Sequence, residues 1–171
     1  SMALSQAAIE SGWGTSRYLR EGNAVYGQYT FEKNKGIEPA KRDSSQKFFI
    51  RKFENLSEST KSYFKNINTH LAYAGLREER KKLRMNGEVL SGLKLADFLT
   101  SYSERKQEYV KDVKKIIESN NFMKFDNSSF VNLITIIHTH YFLYSPFSQS
   151  NLFCYFQMMY SLSCIFYFCL I

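Results

Sequence analysis

No lysine, arginine, aspartate or glutamate occurs after Asp126. A water-soluble fold needs charged side chains for its surface as well as apolar ones for its interior, so the chain reads as two parts, residues 1–125 and 126–171. All of the charged residues, and so the full net charge of +7, lie at or before Asp126, and this part is expected to be a single basic domain. The second is uncharged after Asp126, rich in Phe, Tyr, Ile, Leu and Ser, and holds all three cysteines, Cys154, Cys164 and Cys169. Its last stretch, Leu152 to Ile171, is as long as the roughly 20 residues that a helix needs to cross a bilayer. Two readings follow: a membrane segment, or sequence from a shifted frame or read-through. The second is preferred, because Ser, Gln and Cys interrupt the stretch and no basic residues flank it. In neither reading do the cysteines indicate a redox compartment.

A basic domain attracts polyanions, and wall polymers qualify as readily as nucleic acid. An ordered basic helix, zinc-ligand spacing and an aromatic sheet motif are all missing from the sequence, so no nucleic-acid partner is expected. The run Arg77-Glu78-Glu79-Arg80-Lys81-Lys82-Leu83-Arg84 reads as an exposed helix of mixed charge.

The front of the chain carries the chemistry. Ala3, Leu4, Ala7, Ala8 and Ile9 form a small-residue helix with high propensity. Gly12 supplies the left-handed residue that stops it, with Trp13 placed to fold back on the last turn. Glu10 therefore lies at the helix end, where the negative end of the dipole and a neighbouring indole disfavour the ionised carboxylate. A carboxyl raised toward the working pH is how a general acid is made. A solvated helix-end glutamate fits the same residues.

Further on, residues 46–53 alternate as a strand, with Gln28 to Phe31 as its partner and a polar tip around Asn34-Lys35-Gly36 and Pro39. Asn55 and Glu58 form a capping box that starts a helix whose Leu56, Tyr63, Phe64 and Ile67 face the core. Helices are then expected from about Leu71 to Gly87, around Leu95 to Tyr102, and along Tyr109, Val113, Ile116 and Ile117.

Taken in order, Gln6-Ala7-Ala8-Ile9-Glu10-Ser11-Gly12-Trp13-Gly14-Thr15-Ser16, then Asn23-Ala24-Val25-Tyr26-Gly27-Gln28, resembles the endo-β-N-acetylglucosaminidases of glycoside hydrolase family 73, in their Bax-like branch. Asn55 to Thr60, Asn68 to Tyr73 and Leu99 to Ser103 extend the resemblance, which covers about residues 3–122. It implies a lysozyme-like α+β fold, mostly helical with a small β-hairpin lobe. It also implies hydrolysis of peptidoglycan glycan strands after N-acetylglucosamine, with Glu10 as the acid and Tyr102 as a phenol that holds substrate or orients a carboxyl.

A glycosidase also needs a group that attacks the sugar or activates water. Glu38 is the first candidate, followed by Glu32 and Asp43; in the family the substrate's acetamido group is an alternative to all three. Trp13, Asn23, Tyr26, Gly27 and Tyr29 are the substrate-binding candidates, although Trp13 beside the helix stop also suits packing, Tyr26 and Tyr29 also suit a strand core, and Asn23 suits a turn. His70 is read as a structural hydrogen-bonding group. No cofactor and no metal is expected, because acid-assisted glycoside hydrolysis needs only carboxyls and water.

The family's domain normally has further helical sequence ahead of the acid-bearing helix, whereas only Ser1-Met2 precede Ala3 here, with no secretory signal in view. An uncovered apolar face on that helix is the expectation. The intact protein is expected to be a monomer of the cell envelope, periplasmic or extracellular, with membrane association through the tail as an option. The alternatives are an inactive wall-binding module or gene fragment, a lytic transglycosylase, and a membrane-tethered interaction protein.

Overall fold

The computed structural model describes residues 1–40 and 47–127. Asp43 and the uncharged tail, with its membrane-segment reading, lie outside the described residues. The described chain is α+β and mainly helical: α1 (Met2–Glu10), α2 (Arg17–Gly22), β1 (Tyr29–Thr30), β2 (Gly36–Ile37), β3 (Phe49–Arg51), α3 (Leu56–Thr69), α4 (Ala74–Met85), α5 (Gly92–Ala96) and α6 (Gln107–Ser119). It divides into two compact units, one of Ala7–Phe64 and one of Ser1–Gln6 with 65–127. Among the described residues no helix is long and apolar enough to cross a membrane.

In the first unit the expected two-stranded hairpin is a three-stranded antiparallel sheet in the order β1-β3-β2. The two expected segments do pair, with Tyr29 opposite Ile50 and Thr30 opposite Phe49. The polar tip folds back, however, and Gly36 and Ile37 add to the other edge of β3 opposite Arg51 and Ile50. Two residues are too few to show an alternation in sequence, which is why this strand was not legible.

Gly36 makes the close pairing possible. A Cβ at this position would clash with the Cβ of Phe49 and lie 3.2 Å from the carbonyl oxygen of Ile50, neither of which is a flexible chain end. Gly36→Ala is therefore expected to cost about 1–3 kcal/mol of stability, the usual range for overpacking, read from the midpoint of urea unfolding.

The capping of α3 is as expected on the asparagine side: the Glu58 N–H donates to Asn55 Oδ1 at 2.9 Å. Ser59, Thr60 and Tyr63 on the inner face of this helix are all buried.

In the second unit the helix expected from Leu71 starts as a 3-10 turn, Leu71–Tyr73, capped by His70, whose Nδ1 accepts from the Ala72 N–H at 3.2 Å. Gly87, at φ +66, ends α4: its N–H reaches the Arg84 carbonyl and the Glu88 N–H the Leu83 carbonyl, the bond pair of a Schellman stop. Most of the mixed-charge run is solvated, but Leu83 is buried and Arg77 donates back to the carbonyls of Ile67 and His70.

The helix expected up to Tyr102 ends at Ala96. Beyond it Phe98, Leu99 and Tyr102 each bond three residues back, tight turns that suit the weak helix formers Thr100, Ser101 and Ser103. Tyr109, Val110, Val113 and Ile117 of α6 are buried.

The expectation of an uncovered face on α1 is overturned. Met2, Ala3, Leu4, Ala7 and Ala8 are at most 9% exposed, and the polar Ser5 and Gln6 are fully buried. Gln6 meets the cost of its burial with a hydrogen bond from its Nε2 to the Tyr109 hydroxyl at 3.2 Å.

Candidate active site at the end of helix α1

The stop that places Glu10 is built from backbone alone. The Gly12 N–H donates to the Ile9 carbonyl at 3.1 Å and the Trp13 N–H to the Ala8 carbonyl at 2.8 Å, again a Schellman pair. Gly12, Trp13 and Gly14 follow one another at φ +55, +55 and +86. Three left-handed residues in a row reverse the chain sharply. Two are glycines that adopt this conformation freely, while for a tryptophan it costs about 1–2 kcal/mol.

The turn is held from beneath by Ser11, which is fully buried. Its hydroxyl accepts from the Gly14 N–H at 3.1 Å and its carbonyl from the Ser16 N–H at 2.9 Å. Trp13 does not pack away; 42% of it is exposed. Glu10 itself is half-buried at the last residue of α1.

A second segment meets this helix end. Gly27 stands at φ +58, and a Cβ there would lie 3.5 Å from Glu10 Oε2. The structure thus brings together two of the residues singled out in the sequence, the carboxyl of one over the bare backbone of the other. A side chain at position 27 would be strained by φ and would stand in van der Waals contact with the carboxyl.

The approach of Gly27 is fixed by the residues before it. Asn23 closes α2 in the left-handed conformation at φ 51. Its side-chain amide donates to the carbonyls of Phe53 at 3.1 Å and Glu54 at 3.2 Å, so Asn23 pins this segment to the start of α3. The Val25 N–H donates to Ser59 Oγ at 3.1 Å. Tyr26 is buried, with its ring stacked on that of Tyr63 at 3.9 Å between centroids and 12° between planes. Of the two readings of Tyr26, a substrate-binding ring or a core residue, the structure has the second: its ring is packed in the core, and what it gives the site is support.

Burial also pushes the Tyr26 phenol far above the ordinary tyrosine value of 10.0, with the Thr60 side chain as a smaller influence the other way. The unfolded chain ionises first, so above about pH 10 the folded state holds the extra proton and stability falls as pH rises. Buried Tyr73 is shifted in the same direction by burial and adds to the trend. Tyr26→Phe is expected to flatten this fall, measured as urea midpoints between about pH 8 and pH 11.

The sequence places Tyr63 on the core face of α3, but the part that Ser59, Thr60 and Tyr63 play in supporting the site was not read from it. The available signal was a pair of small hydroxyl residues inside the apolar stripe of α3, where they are wasted unless bonded.

The other candidates lie elsewhere. Tyr29, in β1, is 64% exposed, its ring 4.4 Å from that of Phe48. Glu38 follows β2 and is exposed; its main-chain carbonyl accepts from Arg17 Nη2 at 2.6 Å. Glu32, exposed, is paired with Lys35 at 2.8 Å. Tyr102 belongs to the second unit, where its ring stacks on Tyr109 at 5.3 Å and tilts against Tyr73 at 6.4 Å. No group of metal-ligating side chains occurs among the described residues.

Comparison with known proteins bears on this site. The model of the Glucosaminidase family, described as mannosyl-glycoprotein endo-beta-N-acetylglucosaminidase, matches residues 1–122. Protein bax of Escherichia coli (strain K12) is 33% identical over 110 residues, which are 64% of this chain and 38% of that protein. The chain thus spans well under half the length of the curated relative that it matches. No solved structure gives a significant match.

Proposed function

The chain belongs to the Glucosaminidase family, and from that premise we propose that it hydrolyses the β-1,4-glycosidic bonds of peptidoglycan glycan strands after N-acetylglucosamine, with Glu10 as general acid. The observation that carries the assignment of Glu10 is its placement: a half-buried carboxyl at a rigid helix stop, with Oε2 over the left-handed Gly27. A proton donor must be held within hydrogen-bond reach of the leaving oxygen. Bare backbone beneath the carboxyl leaves it room without leaving it loose.

In the reaction the protonated Glu10 gives its proton to the glycosidic oxygen as the bond to the anomeric carbon breaks. Positive charge develops on that carbon and the ring oxygen, and water completes the hydrolysis. Glu38 is the proposed second carboxylate, with the substrate's own acetamido group as the alternative. Tyr102, Trp13 and Asn23 are proposed to hold substrate. Such a substrate places the intact protein in the cell envelope.

The test is release of reducing ends from purified peptidoglycan by the full chain, with products identified by mass. Fragments ending in reducing N-acetylglucosamine are the expected result. Anhydro-sugar ends would replace hydrolysis by lytic transglycosylation, and binding without release would make the protein a glycan-binding module.

A further inference from the structure

The sheet carries a feature that the placement of Glu10 does not use. Tyr29 opens β1, and Phe31 follows in the bend that ends it. They are 64% and 81% exposed. Phe48, just ahead of β3, lies against Tyr29 with the rings tilted by 35°. The register pairs Thr30 with Phe49, so Phe31 and Phe48 occupy the next position across the strands. Three aromatic residues thus lie at one end of a very small sheet, Tyr29 and Phe48 in ring contact. Two of them lie largely in water, where their apolar faces cost free energy unless a ligand covers them.

The same lobe is positively charged. Over the described residues 29–53 the exposed cations are Lys33, Lys35, Lys47, Arg51 and Lys52, and the carboxylates are Glu32 and Glu38. One of those carboxylates is already neutralised by Lys35. A ledge of aromatic rings on a basic lobe suits a polymer that is both a stack of sugar rings and an anion. The C–H faces of a β-linked pyranose are apolar and lie flat on an aromatic ring while its hydroxyls stay wet, and carboxylate substituents along the strand meet the lysines and arginines.

We propose that Tyr29, Phe31 and Phe48 form an accessory docking ledge for an anionic glycan strand, which holds the polymer to the sheet lobe independently of bond cleavage. The identity of the glycan rests on the function proposed above; the ledge itself rests on the exposed rings and the charge around them.

The test is cosedimentation of the full chain with purified peptidoglycan and, as a neutral glycan, with chitin particles. The Tyr29→Ala/Phe31→Ala double variant should bind peptidoglycan at least roughly tenfold more weakly, as expected on removing two exposed aromatic anchors. Phe31→Trp, which keeps a ring, should retain binding. Chitin should be held more weakly than peptidoglycan. Raising salt from about 0.05 to 0.5 M, which shortens the range of charge interactions several-fold, should release much of the bound protein.

Unchanged binding by the double variant, or no binding by the wild type, overturns the ledge. Equal, salt-insensitive binding to chitin overturns its selectivity for an anion. The two proposals separate cleanly. A wild-type chain that cleaves peptidoglycan while the double variant binds normally keeps the hydrolase and loses the ledge; one that binds through these rings but releases no reducing ends keeps the ledge and loses the hydrolase.

Discussion

Replacing Glu10 by glutamine should leave the unfolding midpoint almost unchanged and lower the rate of reducing-end release from peptidoglycan by roughly 10²–10⁴-fold, the usual contribution of a positioned proton donor. The two expectations have separate causes. Glutamine has the size and shape of glutamate, and the helix stop that places position 10 is made by the main chain of Ala8, Ile9, Gly12 and Trp13 together with the hydroxyl of Ser11. None of these bonds needs the carboxyl. An amide, however, has no proton to give at any working pH, so the leaving oxygen must depart as an alkoxide. The wild-type rate should fall on the alkaline side of its pH profile as the donor ionises, and that limb should be missing from whatever activity the variant retains. Equal rates for the two proteins would remove Glu10 from the mechanism.

The second large effect is on the support rather than the acid. Tyr63→Ala should destabilise the protein by about 3–5 kcal/mol, as truncation of a buried aromatic generally does. Tyr63 is 1% exposed, stacks face to face on Tyr26 and meets Phe64 edge-on at 5.1 Å. Its removal leaves a void against the buried ring of Tyr26. A loss of this size is a large part of the roughly 5–15 kcal/mol that holds a typical domain together. The Tyr26–Gly27 segment would then loosen, and cleavage should fall along with stability. Tyr63→Phe keeps the stacked ring and should stay within about 1.5 kcal/mol of wild type, the range of size-conserving swaps. Urea unfolding of the two variants separates lost packing from a lost hydroxyl. Equal stability of Tyr63→Ala and wild type would mean that this stack is not what holds the segment.

Placing these residues was only partly within reach of the sequence. The stop after Glu10 was legible because it is local: a small-residue helix, a glycine two residues past its last turn and bonds that span at most five residues. The same holds for the asparagine cap of α3, for Gly87 at the end of α4 and for the pairing of the Gln28 to Phe31 segment with the strand within residues 46–53. Each depends on neighbours in the chain or on an alternation that repeats several times. The fold class followed from the same signals, since helical periods dominate and a short alternating stretch interrupts them.

Tertiary structure decided the rest. Tyr26 and Tyr29 are three residues apart and alike in composition, yet one is buried beneath Tyr63 and the other is 64% exposed. The difference is made by a helix more than thirty positions later in the chain, through Ser59 and Tyr63. β2 exists because Gly36 lets the polar tip close on Phe49. The face of α1 that sequence reasoning left open is buried, and Gly27 lies under Glu10 because Asn23 and Val25 are fastened to residues around and within α3. Helix ends and caps are short-range hydrogen-bonding events that a few residues determine by themselves. Which aromatic ring is buried, and which glycine meets which carboxyl, depends on contacts between segments far apart in the chain, and no local pattern encodes those.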